Sequence, residues 1–363
     1  MKRLSGLLGM MVVLSAGCAE PPPELAPVWR WEIDPPAYVR TLVSLDDGGA
    51  LLSLAGNYWA IVRLTAGGAV KWQVPLPFVQ ERGPSVAVTV DGTFVAAYPT
   101  SDTATSDPSC RVLRLDDTGG ELAGYDYPFG CQVIAGAADG GFVIGTGGWF
   151  GSEVYKEEIV AVGPDGTVRW ATALGECRIV QLQAIYGDRV FAGMSAYDCD
   201  ADGDLLPGTG RPWLGALDLG SGAMVWEHEV ELAGSGLEGT HDVAALESSV
   251  VAVESVFEGV SRLRGVDRTG GADQWSIEST AEAFRRVAAL DGGSFVAGLT
   301  EVEDLVPMLR LYDATGEEMG TWIIQRSFGE LAPLDAAADG SVLHAGVTFD
   351  DRPPSVERYQ LPL

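Results

Sequence analysis

Two turn signatures alternate along nearly the whole chain, and their alternation restricts the fold more than any other feature. The first is a tight-turn pair set between short apolar runs: LDDGGALLSL, TVDGTFVAAY, AADGGFVIGT, IYGDRVFAGM, LESSVVAVES, LDGGSFVAGL and AADGSVLHAG, seven in all. The second is a glycine turn followed by an aromatic residue: TAGGAVKW, DTGGELAGY, GPDGTVRW, LGSGAMVW, RTGGADQW and ATGEEMGTW, six in all. Between the turns lie runs of about four to eight residues rich in Val, Leu, Ala and Ile, which is strand behaviour. Asp-Gly and Gly-Gly suit the turns because hairpins of the primed types need positive φ, which glycine adopts without steric cost.

Each unit therefore reads strand, turn, strand, variable loop, strand, turn, strand, which makes a four-stranded antiparallel sheet. The spacing between Trp31 and Trp322 averages about 48 residues per unit, close to the ~40–50 residues of a β-propeller blade. The predicted fold is all-β, a seven-bladed β-propeller over residues 28–363. The seventh unit holds LDAAADGSVLHAGV and VERYQL, and the sequence then stops at Leu363, one strand short. APVWRWEIDP near the other end has the pattern of that missing strand, with Trp31 expected in the place of Trp72, Trp170, Trp226 and Trp275. The N-terminal strand is thus expected to close the ring inside the last blade and cover edges that would otherwise stay open. Those four tryptophans each follow a turn glycine by four residues (Gly68, Gly166, Gly222 and Gly271). They are expected at one equivalent place, packed between neighbouring blades as core and not as binding surface.

The stretch ALDLGSGAMVW resembles the repeat of pyrroloquinoline-quinone-type propellers, A-x-D-x-x-T-G-x-x-x-W, with Ala216, Asp218, Gly222 and Trp226 in place and Ser221 for Thr. GVDRTGGADQW keeps Asp267, Gly271 and Trp275. The resemblance implies the fold class and not the cofactor. Quinoprotein dehydrogenases of that superfamily carry adjacent cysteines beside the quinone; this chain has no Cys-Cys pair, so no quinone is expected. The lipid-anchored propeller subunit of the outer-membrane β-barrel assembly machinery is also similar in plan, with eight blades usual in that family against the seven counted here.

The N-terminus carries Lys2 and Arg3 ahead of an apolar run from Leu4 to Leu14, too short to cross a bilayer of about 30 Å at ~1.5 Å per residue. Residues 1–17 read as a signal peptide. LSAGC resembles the lipobox of bacterial lipoproteins, in which cleavage precedes a cysteine that carries diacylglycerol, and Cys18 is the expected lipidation site. An ordinary secretory signal with an incidental cysteine is the alternative. Ala19 follows in place of Asp, which by the same resemblance implies release from the inner membrane and a lipid-anchored location in the cell envelope, at the outer membrane. Residues 18–27, with EPPPELAP, are expected to form a stiff tether, since proline-rich stretches favour extended geometry. A formal charge of −28 repels phosphate backbones and anionic headgroups, so nucleic acid is not an expected partner and bilayer contact is expected through the Cys18 anchor only. Basic proteins, cations and neutral glycans stay open.

Four further cysteines allow three connectivities. Cys110 with Cys131 and Cys177 with Cys199 are the local ones, each clamping a long loop to its own blade, with free buried thiols as the alternative. In a propeller, the second-to-third-strand loops and the blade-to-blade connections share one face, and here that face holds nearly all the length variation: YPTSDTATSDPSC, GGWFGSEVYKEE and AYDCDADGDLLPGTGRPW. Binding usually resides on loops carried by a rigid scaffold. These are acidic and hold Trp149, Phe150, Tyr155, Tyr197 and Trp213, an expected binding rim, with aromatic caps over the core as the bland reading. DCDADGD sets Asp198, Asp200, Asp202 and Asp204 at alternate positions with Gly203 at the bend, which resembles the first half of an EF-hand-type loop and makes Ca²⁺ the expected ion. The twelfth position is Thr209, not Glu, and a solvated acidic loop is the alternative.

Support for catalysis is thin. His228, His241 and His344 are scattered, and no HExxH, GxSxG or P-loop accompanies them. The expected function is that of a monomeric, lipid-anchored, non-enzymatic propeller whose loop-rich acidic face binds an envelope protein or glycan. An envelope carbohydrate-active or quinone-dependent enzyme of propeller fold is the alternative.

Overall fold

The computed structural model describes residues 21–362 apart from 34–36, 78–82, 101–108, 147–148, 151–152, 155–156, 176–177, 201–205, 207–208, 230–238, 257–259, 304, 325–332, 338 and 347–352. Cys18 and the signal sequence lie outside the described residues. Seven four-stranded antiparallel sheets form a seven-bladed β-propeller. Blades 1 to 6 occupy residues 37–76, 85–127, 133–173, 178–229, 239–279 and 282–323, each running from an inner strand outward. Inner strands of successive blades pack against one another around the axis.

Blade 7 takes Leu334–Ala336, Ser341–Gly346 and Ser355–Gln360 from the C-terminal end, and its outermost strand is Trp29–Glu32. Trp29 pairs with Arg358 and Glu32 with Ser355. The N–H of Val28 donates to the Arg358 carbonyl at 2.7 Å, and that of Ile33 to the Pro354 carbonyl at 2.8 Å. The ring is therefore closed as the sequence pattern required.

The expected tether is shorter than residues 18–27. The Leu25 N–H donates to the Ile323 carbonyl at 2.8 Å, and the Ile323 N–H to the Pro23 carbonyl at 3.0 Å, so this segment lies along the outer strand of blade 6. An outer strand offers unpaired backbone groups, and a proline, lacking an N–H of its own, still presents a carbonyl to them.

Packing between blades follows one rule. The outer-strand aromatic of each blade covers the third-turn glycine of the next. A Cβ on Gly119 would come within 3.0 Å of the Trp72 ring, one on Gly222 within 2.5 Å of Trp170, and one on Gly271 within 2.8 Å of Trp226. Gly222 and Gly271 also hold φ of +71° and +73°, so both the backbone and the indole above it require glycine. Each indole N–H donates to a carbonyl of the turn it covers: Trp72 to Asp117 at 2.9 Å, Trp170 to Leu219 at 2.9 Å, Trp226 to Arg268 at 3.0 Å and Trp275 to Ala314 at 3.0 Å.

One detail of the expected register is corrected. Trp29, not Trp31, covers Gly68. Trp29 faces Arg358 across the sheet as Trp72 faces Arg63, while Trp31 packs two residues on against the core between blades 7 and 1. Trp322 departs for a related reason. It faces blade 7, whose third and fourth strands come from opposite ends of the chain and share no turn, and it is buried instead beside Leu361.

Candidate functional site

The inner strand of each blade is a sheet edge, and its N–H groups need acceptors from elsewhere. Side chains of the preceding blade supply them. Thr41 Oγ1 accepts from the Val86 N–H at 3.0 Å, Ser85 Oγ from Ile134 at 3.2 Å, Asp242 Oδ2 from Val287 at 2.9 Å, and Asp335 Oδ2 from Ser44 at 2.6 Å. The axis is thereby lined with polar groups as a condition of the architecture.

Four inner strands also carry a β-bulge, and the residue that the ladder register skips is Arg40 in blade 1, Gln181 in blade 4, His241 in blade 5 and Arg285 in blade 6. Such a bulge re-aims its extra residue out of the strand's alternation. Ring closure gathers His241, Asp242, Arg285, Arg286, Asp335 and His344 into one axial cluster. Arg286 Nη1 donates to the carbonyls of Arg285 at 2.7 Å and His241 at 3.5 Å. Burial pushes the Asp242 carboxyl up to about 6, against the pull of Arg286 and its two backbone donors, and burial likewise pushes Asp335 up to about 6. Burial, with Arg286 and Arg285 nearby, takes His241 down to about 4; burial and Arg286 take His344 down to about 3. Desolvation also lowers Arg40 and Arg286.

These shifts set opposing pH dependences. Asp242 and Asp335, raised above about 3.8, bind protons in the folded state first, so their contribution is fully present below about 4 and is lost as pH rises through about 6. The two imidazoles, depressed from 6.5, contribute fully above that pH and lose their contribution as it falls towards 4 and 3. His344→Gln should therefore remove part of the acid-side loss. Denaturant unfolding at pH 7 and pH 4.5 is expected to show a smaller difference between the two pH values in the variant than in the parent. An equal difference would mean that His344 is not held neutral by its surroundings.

Of the residues singled out by sequence, Cys110 and Cys131 form a disulfide with Cα atoms 5.5 Å apart, tying the start of the strand Cys110–Leu115 to the connection into blade 3. Cys199 is disulfide-bonded, and Cys177 lies outside the described residues. Trp149–Phe150 pairs with Glu153–Val154 as a small hairpin beyond blade 3; Tyr155 lies outside the described residues. Tyr197 is half-buried, and burial raises its phenol. Trp213 does not belong to a rim. It is fully buried on the strand Arg211–Asp218, with the Arg178 guanidinium 5.2 Å from its ring centroid and its indole N–H on Glu227 at 3.2 Å. The strand begins earlier than the loop reading allowed, and Trp213 faces Met194 inside the sheet.

In the DCDADGD loop, Asp198 Oδ1 pairs with Arg211 at 2.8 Å, and the Asp198 N–H donates to Thr209 Oγ1 at 2.9 Å. Arg211 thus supplies at Asp198 the compensation expected of an ion. Asp200 is exposed, and Asp202 and Asp204 lie outside the described residues. Among the described residues, no three His, Cys, Asp or Glu side chains stand where they could hold a metal ion.

The axial residues were not singled out as a site from sequence. Their signal is charge inside an otherwise apolar inner-strand run, as in AYVRTLVS, GTHDVAA and EAFRRVAA.

No protein-family profile and no curated protein matches this chain. Among solved structures, it is similar to the quinohemoprotein alcohol dehydrogenase of Comamonas testosteroni at 12% identity and a TM-score of 0.51, over 93% of this chain and 76% of that one. The corresponding enzyme ADHIIG of Pseudomonas putida HK5 gives the same values. Prolyl oligopeptidase B of Galerina marginata aligns at 12% identity with a TM-score of 0.58, over 89% of this chain and 49% of that one. At such identities the likeness establishes the propeller fold alone. No helix among the described residues is long and apolar enough to cross a membrane.

Proposed function

We propose that this protein is a lipid-anchored propeller of the cell envelope that binds a partner or ligand on its loop-rich face and catalyses no reaction. The observation that carries the reading is the sorting of chain length between the two faces. Tight turns join first to second strands and, in blades 1 to 6, third to fourth strands, whereas the second-to-third links range from residues 57–58 to residues 197–210. A rigid scaffold with variation confined to one end is how binding sites are carried on many folds. The solved structures similar to this chain have unlike activities, so the fold itself favours no chemistry. The alternative, a carbohydrate-active enzyme, draws on the two carboxyls Asp242 and Asp335 held at about 6. Both, however, accept backbone N–H groups between blades and so have a sufficient structural role.

Two measurements test the reading. Cys18→Ser should move the protein from the membrane fraction to the soluble fraction; unchanged membrane association would remove the lipid anchor from the account. Glycan arrays and capture from envelope extracts should give binding that is lost when the 149–154 hairpin is replaced by glycines and kept in Asp116→Asn, a variant of the opposite face. Binding indifferent to the hairpin would place the partner elsewhere, and turnover of a glycan substrate would favour the enzyme.

A further inference from the structure

The chain has 51 acidic residues against 23 basic ones, so a cation without a carboxylate beside it is not explained by a shortage of acids. Most buried or half-buried arginines are paired: Arg63 with Asp47, Arg114 with Asp91, Arg264 with Glu254. Arg40 differs in having no carboxylate beside it: its guanidinium makes one hydrogen bond, from Nη2 to the Gln132 carbonyl at 3.3 Å. Its buried Nε has no acceptor, as is true also of the Nε of Arg63 and Arg264, but those two cations are neutralised by their carboxylates and Arg40 is not. The buried Gln132 Nε2 has no acceptor either, nor has the buried Nε of Arg285, the equivalent bulge residue in blade 6. No carboxylate pairs with Arg40 or Arg285 among the described residues.

The location is equally specific. Gln132 stands at the end of the connection into blade 3, and Gly83 lies in the connection into blade 2; both connections belong to the loop-rich face. A Cβ on Gly83 would approach the Arg40 Cδ to 3.0 Å, so glycine there leaves room for the arginine stem to reach from blade 1 to blade 3. Three donor nitrogens without acceptors, withdrawn from water at the axial end of the binding face, are costly unless a ligand completes them.

We propose that Arg40 and Gln132, aided by the positive potential of Arg285, form a receptor at the loop-rich end of the axis for the carboxylate of a small organic acid. A guanidinium fork matches planar oxyanions in a bidentate manner. Asp242 and Asp335 already stand on the axis, and the whole chain is strongly acidic. Both facts oppose a second negative charge, so a carboxylate is taken in preference to a phosphate. The inference rests on the reading of the loop-rich face as the binding face and adds the ligand's chemistry to it.

The test uses the purified protein and four probes: D-glucuronate for an acidic sugar, N-acetyl-L-alanine for a peptide-type acid, inorganic phosphate, and D-glucose as the uncharged control. At least one carboxylate is expected to raise the melting temperature saturably and to give a calorimetric isotherm, with phosphate weaker and glucose silent. Gln132→Leu should weaken binding roughly tenfold to a hundredfold, the loss of one charge-assisted contact. Arg40→Gln should abolish the response while raising the melting temperature of the unliganded protein, since it removes a desolvated cation; a purely structural arginine would lower it. Silence of both carboxylates, a response equal in Arg40→Gln, tighter binding of phosphate, or a destabilised Arg40→Gln apoprotein would each overturn the site. A partner captured through the 149–154 hairpin but indifferent to Arg40→Gln would leave the face standing and overturn the axial receptor alone.

Discussion

Deleting residues 28–33 is expected to cost more stability than any single substitution in this chain, because the deletion opens the ring. The strand Trp29–Glu32 supplies every ladder bond on the outer edge of Ser355–Gln360. With it goes the half-buried Trp29, whose ring covers Gly68 of blade 1; a fully buried aromatic is worth about 3–5 kcal/mol, and Trp29 supplies a part of that. Glu357, fully buried, also loses its ion pair with Arg30, whose Nε lies 2.5 Å from Oε1, and breaking an ion pair at a buried carboxylate costs up to a further ~3–5 kcal/mol. A typical domain has only about 5–15 kcal/mol in total. The deleted protein should therefore melt far below the parent by circular dichroism and, with an open third strand in blade 7, aggregate on standing. Melting and solubility equal to the parent would mean that the N-terminal strand contributes nothing to closure.

What the sequence made legible were the features decided locally. Glycine turns, strand runs and the count of seven follow from residues within a few positions of each other. The register of the closing strand did not, because Trp29 and Trp31 stand two apart and so point to the same face of a strand. Only the pairing of Trp29 with Arg358, more than three hundred residues away, decides which of them meets Gly68. The axial cluster is illegible for the same cause: His241, Asp242, Arg286, Asp335 and His344 come together only when the ring closes, as does the contact of Arg40 with Gln132 across 92 residues of sequence.

The acid excess is legible as a number, and it is not confined to the loop-rich face. Asp116, Asp267 and Asp313 each accept a hydroxyl and at least two backbone N–H groups within their own third turns, which holds all three carboxyls below their ordinary range. Part of the negative charge is thus turn chemistry on the opposite face, and the Asp in the repeat A-x-D-x-x-T-G has this physical role. Trp213 illustrates the reverse error: an aromatic beside a long loop looks like a rim until the strand's true start is known.

The salt bridge between Arg30 and Glu357 permits a sharper test of closure, since it separates the strand's charge from its backbone. Glu357 also accepts from the Tyr359 hydroxyl and lies near Ser355 Oγ at 3.4 Å, so the carboxylate is held in a network with no access to water. Arg30→Ala removes this ion pair from a buried carboxylate and should cost up to about 3–5 kcal/mol. Glu357→Gln removes the buried charge but keeps the hydrogen-bonding shape, and Arg30, 29% exposed, then turns to solvent; this variant should cost less. The double variant should recover much of the loss of Arg30→Ala, because the buried charge that Arg30 offsets is then gone as well. Chemical denaturation of the four proteins gives the coupling directly. A coupling near zero would show that the N-terminal strand is held by its ladder and by Trp29 alone. A large coupling would mean that closure is specified by charge as well as by shape, which suits a strand that must find its partner from the opposite end of the chain.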